Sequence, residues 1–185
     1  MTHISEKYQH ELDELRRELK ELARRVDEAV QRAIWALHHS AVREARAIIQ
    51  SDKDVNELAE TLQEHALRVM ALQGPVASDL RLISSILHNA RDLERIGDYA
   101  KGIAVLTIRL DPLPKPALPQ ELTTMVNTSR TMLADALAAI ENANADIGVQ
   151  LKERDDIRRR GLRCRVHPKR SRRCRPTRSM CWRAR

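Results

Sequence analysis

From about Ser5 to Leu110 the apolar residues of this chain return at intervals of three and four. A spacing of that kind gathers apolar side chains on one face of an α-helix and scatters them on a strand. In the first segment, Ser5 to about His38, the line is Leu12, Leu15, Leu19, Leu22, Val26, Ala29, Ala33 and Ala36. Glu, Lys and Arg fill the other positions, so the opposite face is wet. Ser5 is placed to cap that helix by accepting from its orphan N–H groups. His38-His39-Ser40 breaks the pattern weakly. A second segment, about Ala41 to Leu72, aligns Ile48, Val55, Leu58, Leu62, Ala66 and Val69. Gly74-Pro75 ends it, because proline lacks a donor and clashes with the preceding turn. A third segment runs from near Ser78-Asp79 to about Leu110, with Leu80, Leu87 and Ala90 on one line.

Composition narrows the choice further. The chain has 185 residues, with 2 Trp, 2 Tyr and no Phe, against the aromatic content of sandwiches and barrels. Five glycines leave few tight turns. Rods of roughly 45–50 Å, joined by short turns, pack as antiparallel neighbours. The expected fold is all-α: an antiparallel three-helix bundle over 5–110, then an incomplete second bundle and a basic tail. No apolar run reaches the ~20 residues of a membrane span. The opening MTHISEKYQHELDELRREL is too charged for a secretory leader. A soluble cytoplasmic protein is expected.

Beyond Leu110, the proline-rich stretch DPLPKPALP (111–119) reads as a linker. A fourth helix is expected from about Gln120 to Asn142, carrying Leu122, Met125, Met132, Leu133, Ala136, Leu137 and Ile140. A fifth begins near Ala145 and reaches Asp155-Asp156. A shift of about one hundred residues superposes Ala33 on Ala136, Ala36 on Ala139 and Asp52 on Asp155. Together with the matching helix-break-helix layout, this points to a duplication whose second copy is 120–156.

Charge divides the molecule differently. Positions 158–185 hold 12 Arg and 1 Lys and no acid, a charge of +13. The remainder holds 20 basic and 26 acidic residues, or −6. Cys164, Cys174 and Cys181 all fall in the tail, without a C-x-x-C pair for zinc. Arg158, Arg159, Arg160, Arg172 and Arg173 could neutralise nucleic-acid phosphates, and the same density would suit an anionic membrane surface.

Side chains able to do chemistry flank the apolar lines. Glu94 and Asp98 lie four residues apart on one helical face. Asp52 and Asn56 share that spacing in the second helix. Oxygen donors at i and i+4 on facing helices are how bundles hold divalent metals, and this donor set suits Mg, Mn or Fe(II), with Zn possible. A plainer reading competes: Arg91, Arg95 and Lys101 are close enough in sequence to make ordinary surface ion pairs. Gly97 costs its helix roughly 0.8–1 kcal/mol against Ala and so marks a close approach. His65 and His88 read as ordinary surface or boundary residues. No nucleophile motif, HExxH or phosphate-cradling loop occurs, which argues against an enzyme.

Several strings in this order resemble the PhoU family of phosphate-uptake regulators. They are Asp52 with Val55-Asn56, Gln73-Gly74-Pro75, Ala77-Ser78-Asp79-Leu80-Arg81 and Leu93-Glu94-Arg95-Ile96-Gly97-Asp98. The resemblance covers about residues 5–156 and thins in the fourth helix. It implies two tandem three-helix bundles and surface metal clusters at E/D-xxx-D signatures. Glu94 and Asp98 match one signature; Asp52 matches the start of another, with Asn56 at its second position; Asp155 matches the start of a third. By the same resemblance the chain is a negative regulator of phosphate uptake and of the starvation response. Its implied partners are the ATPase subunit of a phosphate ABC transporter and a sensor histidine kinase. It is expected to dimerise and to reach the membrane only through those partners.

The resemblance stops after Asp156. A sixth helix with an E-R-x-x-D signature is expected there, and IRRRGLRCRVHPKRSRRCRPTRSMCWRAR stands instead. A truncated or frame-shifted end fits that change, with positions 157–185 disordered or non-native. The fourth and fifth helices then lack a third partner, which predicts a mobile or self-associating second half.

Overall fold

The structure is a computed structural model and describes residues 2–111, 113, 119–141, 150, 151, 153 and 155. Four helices are formed: α1 (Thr2–His39), α2 (Val42–Gln73), α3 (Ala77–Leu110) and α4 (Gln120–Glu141). Among the described residues there is no strand, and no helix is long and apolar enough to cross a membrane. α1 begins at Thr2, so Ser5 lies inside the helix rather than at its cap.

α1, α2 and α3 each pack against the other two. The buried positions explain why. In α2 they are Ala45, Ile48, Asp52, Val55, Ala59, Leu62, Ala66 and Val69, with His65 beside them. In α3 they are Ile83, Ile86, Ala90, Leu93, Gly97, Ala100, Ala104 and Thr107. In α1 Leu12, Leu15, Leu19, Leu22, Val26, Ala33 and Ala36 are buried. The same alternation of three and four runs down all three helices, which keeps each seam turned inward along its length. The line expected for α3 is displaced: Leu80 is 41% exposed, and the seam runs through Ile83 and Ile86 instead. Several apolar lines can be drawn on an apolar-rich helix, and contact with α1 and α2 selects one.

Residue size varies along the bundle. One cluster combines Ala33, Ala36, Ala45, Ala100 and Ala104 with Ile48. Leu12, Leu15, Leu62, Ile83 and Ile86 are fully buried elsewhere in the seam. Each fully buried Leu or Ile contributes roughly 1.5–3 kcal/mol, whereas alanine contributes little area but lets backbones approach.

Both turns of the bundle are left-handed helix endings. Ser40 has φ 52° and the Ala41 N–H donates to the Ala36 carbonyl at 2.9 Å. That is a Schellman ending with serine where glycine is usual. Gly74, at φ 55° and ψ 57°, closes α2. Pro75 follows, and α3 begins two residues later.

The described residues fall into two compact units, one ending at Thr131 and the other starting at Met132. The first turns of α4 therefore belong with the three-helix bundle. Arg130 donates to Asp27 of α1 through Nε at 2.5 Å and a terminal nitrogen at 2.9 Å. Thr123 and His38 approach to 3.2 Å. None of the residues between Gln120 and Ile140 is buried. The fifth helix and the tail, with Arg158, Arg159, Arg160, Arg172 and Arg173, lie essentially outside the described residues, apart from helical positions at 150, 151, 153 and 155.

Candidate functional site

The level of α2 against α3 is set at Gly97. A Cβ built on that glycine would stand 3.3 Å from Cγ1 of Val55, so the α2 side chain packs directly on the α3 backbone there, a close approach of the kind the mid-helix glycine foretold. Because the helices are antiparallel, the run 52–56 lies opposite the run 94–101. Asp52, Asn56, Glu94 and Asp98 thus border one α2–α3 seam.

Their environments differ. Asp52 is buried within the seam, and Lys101 of α3 reaches it with Nζ 2.6 Å from Oδ2. The hydrogen bond to Asp52 holds the Lys101 ammonium above its ordinary pKa, and the nearby charge of Asp98 adds to that. Lys101 was one cation expected to pair along its own helix; it crosses to α2 instead. Arg95 donates to the Tyr99 hydroxyl at 3.0 Å, with its guanidinium 5.9 Å from that ring. Among the described residues, no ion pair joins Arg91 or Arg95 to Glu94 or Asp98. Of the cations weighed for surface pairs with Glu94 and Asp98, Lys101 thus pairs with the buried Asp52 and is influenced by Asp98 only through its nearby charge.

Asn56 adds the feature that bears on a ligand. Its Oδ1 is buried and accepts no hydrogen bond. A buried acceptor left unpaired costs about 1–3 kcal/mol. One turn away, Asp52 already has a cation against it. An orphan amide oxygen beside a carboxylate and a displaceable ammonium fits a cation as ligand, with Glu94 half-buried and Asp98 exposed. The carboxylates of Asp52, Glu94 and Asp98 do not converge into a group within 4.8 Å; among the described residues Glu11, Glu14 and His65 do.

That second group was not anticipated. His65 was expected at the surface or boundary, yet it is only 7% exposed. Its Nε2 lies 2.8 Å from Glu11 Oε2, and its Nδ1 lies 3.0 Å from each oxygen of Glu18. Burial pulls the imidazole pKa down, but the two carboxylates outweigh it and hold the pKa above its ordinary value. Glu11 is lowered in turn by its bond to His65. The available signal was the run of glutamates at 11, 14 and 18, three and four apart beside the α1 seam. Only the pairing of α1 with α2 reveals what they face. His88 conforms to expectation: it is exposed, with Nδ1 2.7 Å from the Ser84 carbonyl.

An all-helical bundle with a polar seam edge and a buried histidine clamp defines a helical scaffold whose chemistry lies along its helix faces. The PhoU domain family model matches residues 19–107. A phosphate-specific transport system accessory protein PhoU homolog from Pseudomonas putida is 34% identical over 154 residues, which is 83% of this chain and 60% of that protein. The accessory protein PhoU of Escherichia coli (strain K12) is 30% identical over 153 residues, 83% of this chain and 64% of its own. A crystal structure described as the phosphate transport system regulatory protein PhoU from Streptococcus pneumoniae superposes with a TM-score of 0.72 at 32% identity, covering 80% of this chain and 70% of that one. The chain belongs to the PhoU family. It spans about 60% of the length of the Pseudomonas relative.

Proposed function

We propose that the chain is a regulatory adaptor of phosphate transport that works by contact rather than by catalysis. The observation carrying this is the likeness to PhoU proteins: the family model matches residues 19–107, and the superposed structure is 32% identical over 80% of this chain. Those relatives are named as accessory or regulatory proteins of phosphate transport. In this reading the chain restrains phosphate uptake and the starvation response. It does so on the cytoplasmic side by docking on the transporter's ATPase subunit and on a sensor histidine kinase, with a homodimer as the working form. Long helices with exposed flanks supply the docking surface.

The α2–α3 edge has a place in that scheme. Asp52, Asn56, Glu94 and Asp98 would hold a divalent ion, with magnesium, manganese, iron or zinc as candidates. Bound there, the ion would supply positive charge to an acidic edge and so change which partner surface it accepts. Lys101 holds the same ground against Asp52 and would have to yield.

The test is complementation. In a bacterium lacking its own PhoU, expression of this chain should lower a phosphate-starvation reporter in phosphate-replete medium. The chain should also co-purify the transporter ATPase subunit. An unaltered reporter from stably expressed protein would count against the reading. Replacing Glu94 and Asp98 by Gln and Asn should weaken repression without unfolding the bundle.

A further inference from the structure

We infer that Glu11, Glu14 and His65 form a second metal site on the α1–α2 face, suited to a transition-metal cation of the zinc class, with Glu18 orienting the imidazole. A neutral imidazole carries one N–H and one lone pair. Here both ring nitrogens stand 2.8–3.0 Å from carboxylate oxygens. One contact is satisfied by the ring's own N–H. The other sets a lone pair against a carboxylate unless a cation lies between them. That cation is a second proton or a metal.

Glu14 favours the metal. A protonated ring needs only Glu11 and Glu18. Yet an oxygen of Glu14 also comes within 4.8 Å of the Glu11 oxygen and the ring nitrogen. Glu11 and Glu14 lie three apart on α1 and face the same way. One nitrogen and two carboxylates on two rigid helices are zinc-type donors, whereas magnesium and calcium prefer oxygen alone. A tetrahedral ion with ligands at roughly 2.0–2.2 Å sets them about 3.3–3.6 Å apart. Glu11 must therefore back away slightly from its 2.8 Å contact with Nε2 while Glu14 adjusts to meet the ion, and both side chains have the freedom to do so. The Glu14 side chain is 40% exposed, which leaves an entry path and room for water as a further ligand. Glu18 on Nδ1 completes the carboxylate–histidine–metal arrangement that fixes tautomer and ring orientation.

Cations nearby would compete. His10 Nε2 lies 3.4 Å and Arg17 3.6 Å from Glu14, while Arg68 and Lys7 act on Glu11, and Arg68 also on His65. The His10 and Arg17 contacts are solvent-exposed and weak.

The experiment uses the full chain with its three cysteines alkylated, in a Glu94→Gln, Asp98→Asn background, so that neither thiols nor the α2–α3 edge contribute. Zinc titrated by calorimetry should bind at one equivalent, and magnesium should not. Glu14→Gln leaves the Glu11–His65–Glu18 hydrogen bonds in place. It should keep the helical circular dichroism unchanged and weaken zinc at least about tenfold, since losing even a group that only hydrogen-bonds a metal ligand costs about 10–100-fold. Cobalt should give tetrahedral d–d bands that disappear in His65→Gln. If His65→Gln unfolds, Glu14→Gln decides alone. Absence of zinc binding in this background, or binding that Glu14→Gln does not weaken, would reduce the group to a protonated histidine clamp and overturn the site.

Discussion

Asp52 and Lys101 show how a pairing between helices escapes a reading of one helix at a time. Asp52 is buried, and the ammonium that meets it comes from another helix. Lys101→Met removes that cation and leaves a buried carboxylate unpaired. In chelator-treated buffer the change should lower urea-denaturation stability by about 1–3 kcal/mol. Manganese or magnesium should restore more of it than the same ions add to the parent chain, and equal effects on both would argue against a cation site at Asp52. Gly97 makes the complementary case. Its helix-propensity penalty was legible in sequence, and the reason is Val55 at 3.3 Å from where a Cβ would sit. Gly97→Leu should cost about 1–3 kcal/mol by overpacking, read from the same denaturation curves. Gly97→Ala should be milder, because the gain in helix propensity opposes the tight contact. Glu94 and Asp98 could be singled out as carboxylates four apart, and Asp52 with Asn56 as an oxygen pair of the same spacing, although that spacing alone also fitted ordinary surface ion pairs. His65 could not, since its meaning comes wholly from the α1 glutamates across from it.

The helices themselves were largely written in local signals. Gly74-Pro75 stops α2 where expected, and the α1–α2 break falls at Ser40. The turn conformation was not legible: serine at φ 52° is uncommon. Ser40→Gly should relieve left-handed strain, which costs non-glycine residues roughly 1–2 kcal/mol. Glycine's greater unfolded-state freedom takes back part, so a thermal scan should show a net gain of up to about 1 kcal/mol. α4 depends on a different device. Arg130 hydrogen-bonds Asp27 and holds its carboxyl below the ordinary value of 3.8. A carboxyl lowered in the folded state stabilises above its unfolded pKa and loses that contribution as pH falls through the folded one. Amide protection in residues 124–130 should therefore hold from pH 7 to 5 and fall off below 3.8, while Asp27→Asn should flatten this dependence. Protection that followed pH equally in the variant would assign the change elsewhere.

At the scale of the whole molecule, the repeating apolar spacing determined the bundle, because three long striped rods joined by short turns have few other ways to bury their seams. What spacing could not supply was the azimuth of each rod. The α3 seam passes through Ile83 and Ile86 rather than Leu80, and that rotation decides which polar residues face α2. Charge is the other global property, and it can be tested independently of the fold. The arginine-rich positions 158–185 carry +13 against −6 for the rest of the chain. A segment of that density binds any polyanion by releasing counterions, and log affinity falls with log salt by roughly 0.9 per phosphate neutralised. Generic duplex DNA should therefore bind the full chain at low salt without sequence preference. Replacing Arg158, Arg159, Arg160, Arg172 and Arg173 by Gln should reduce the salt slope by up to about 4–5. If the adaptor reading is correct, the same five-fold variant should leave repression of the phosphate-starvation reporter unchanged, because α1–α3 carry the PhoU likeness. Loss of repression together with loss of DNA binding would move the function from the bundle to the tail.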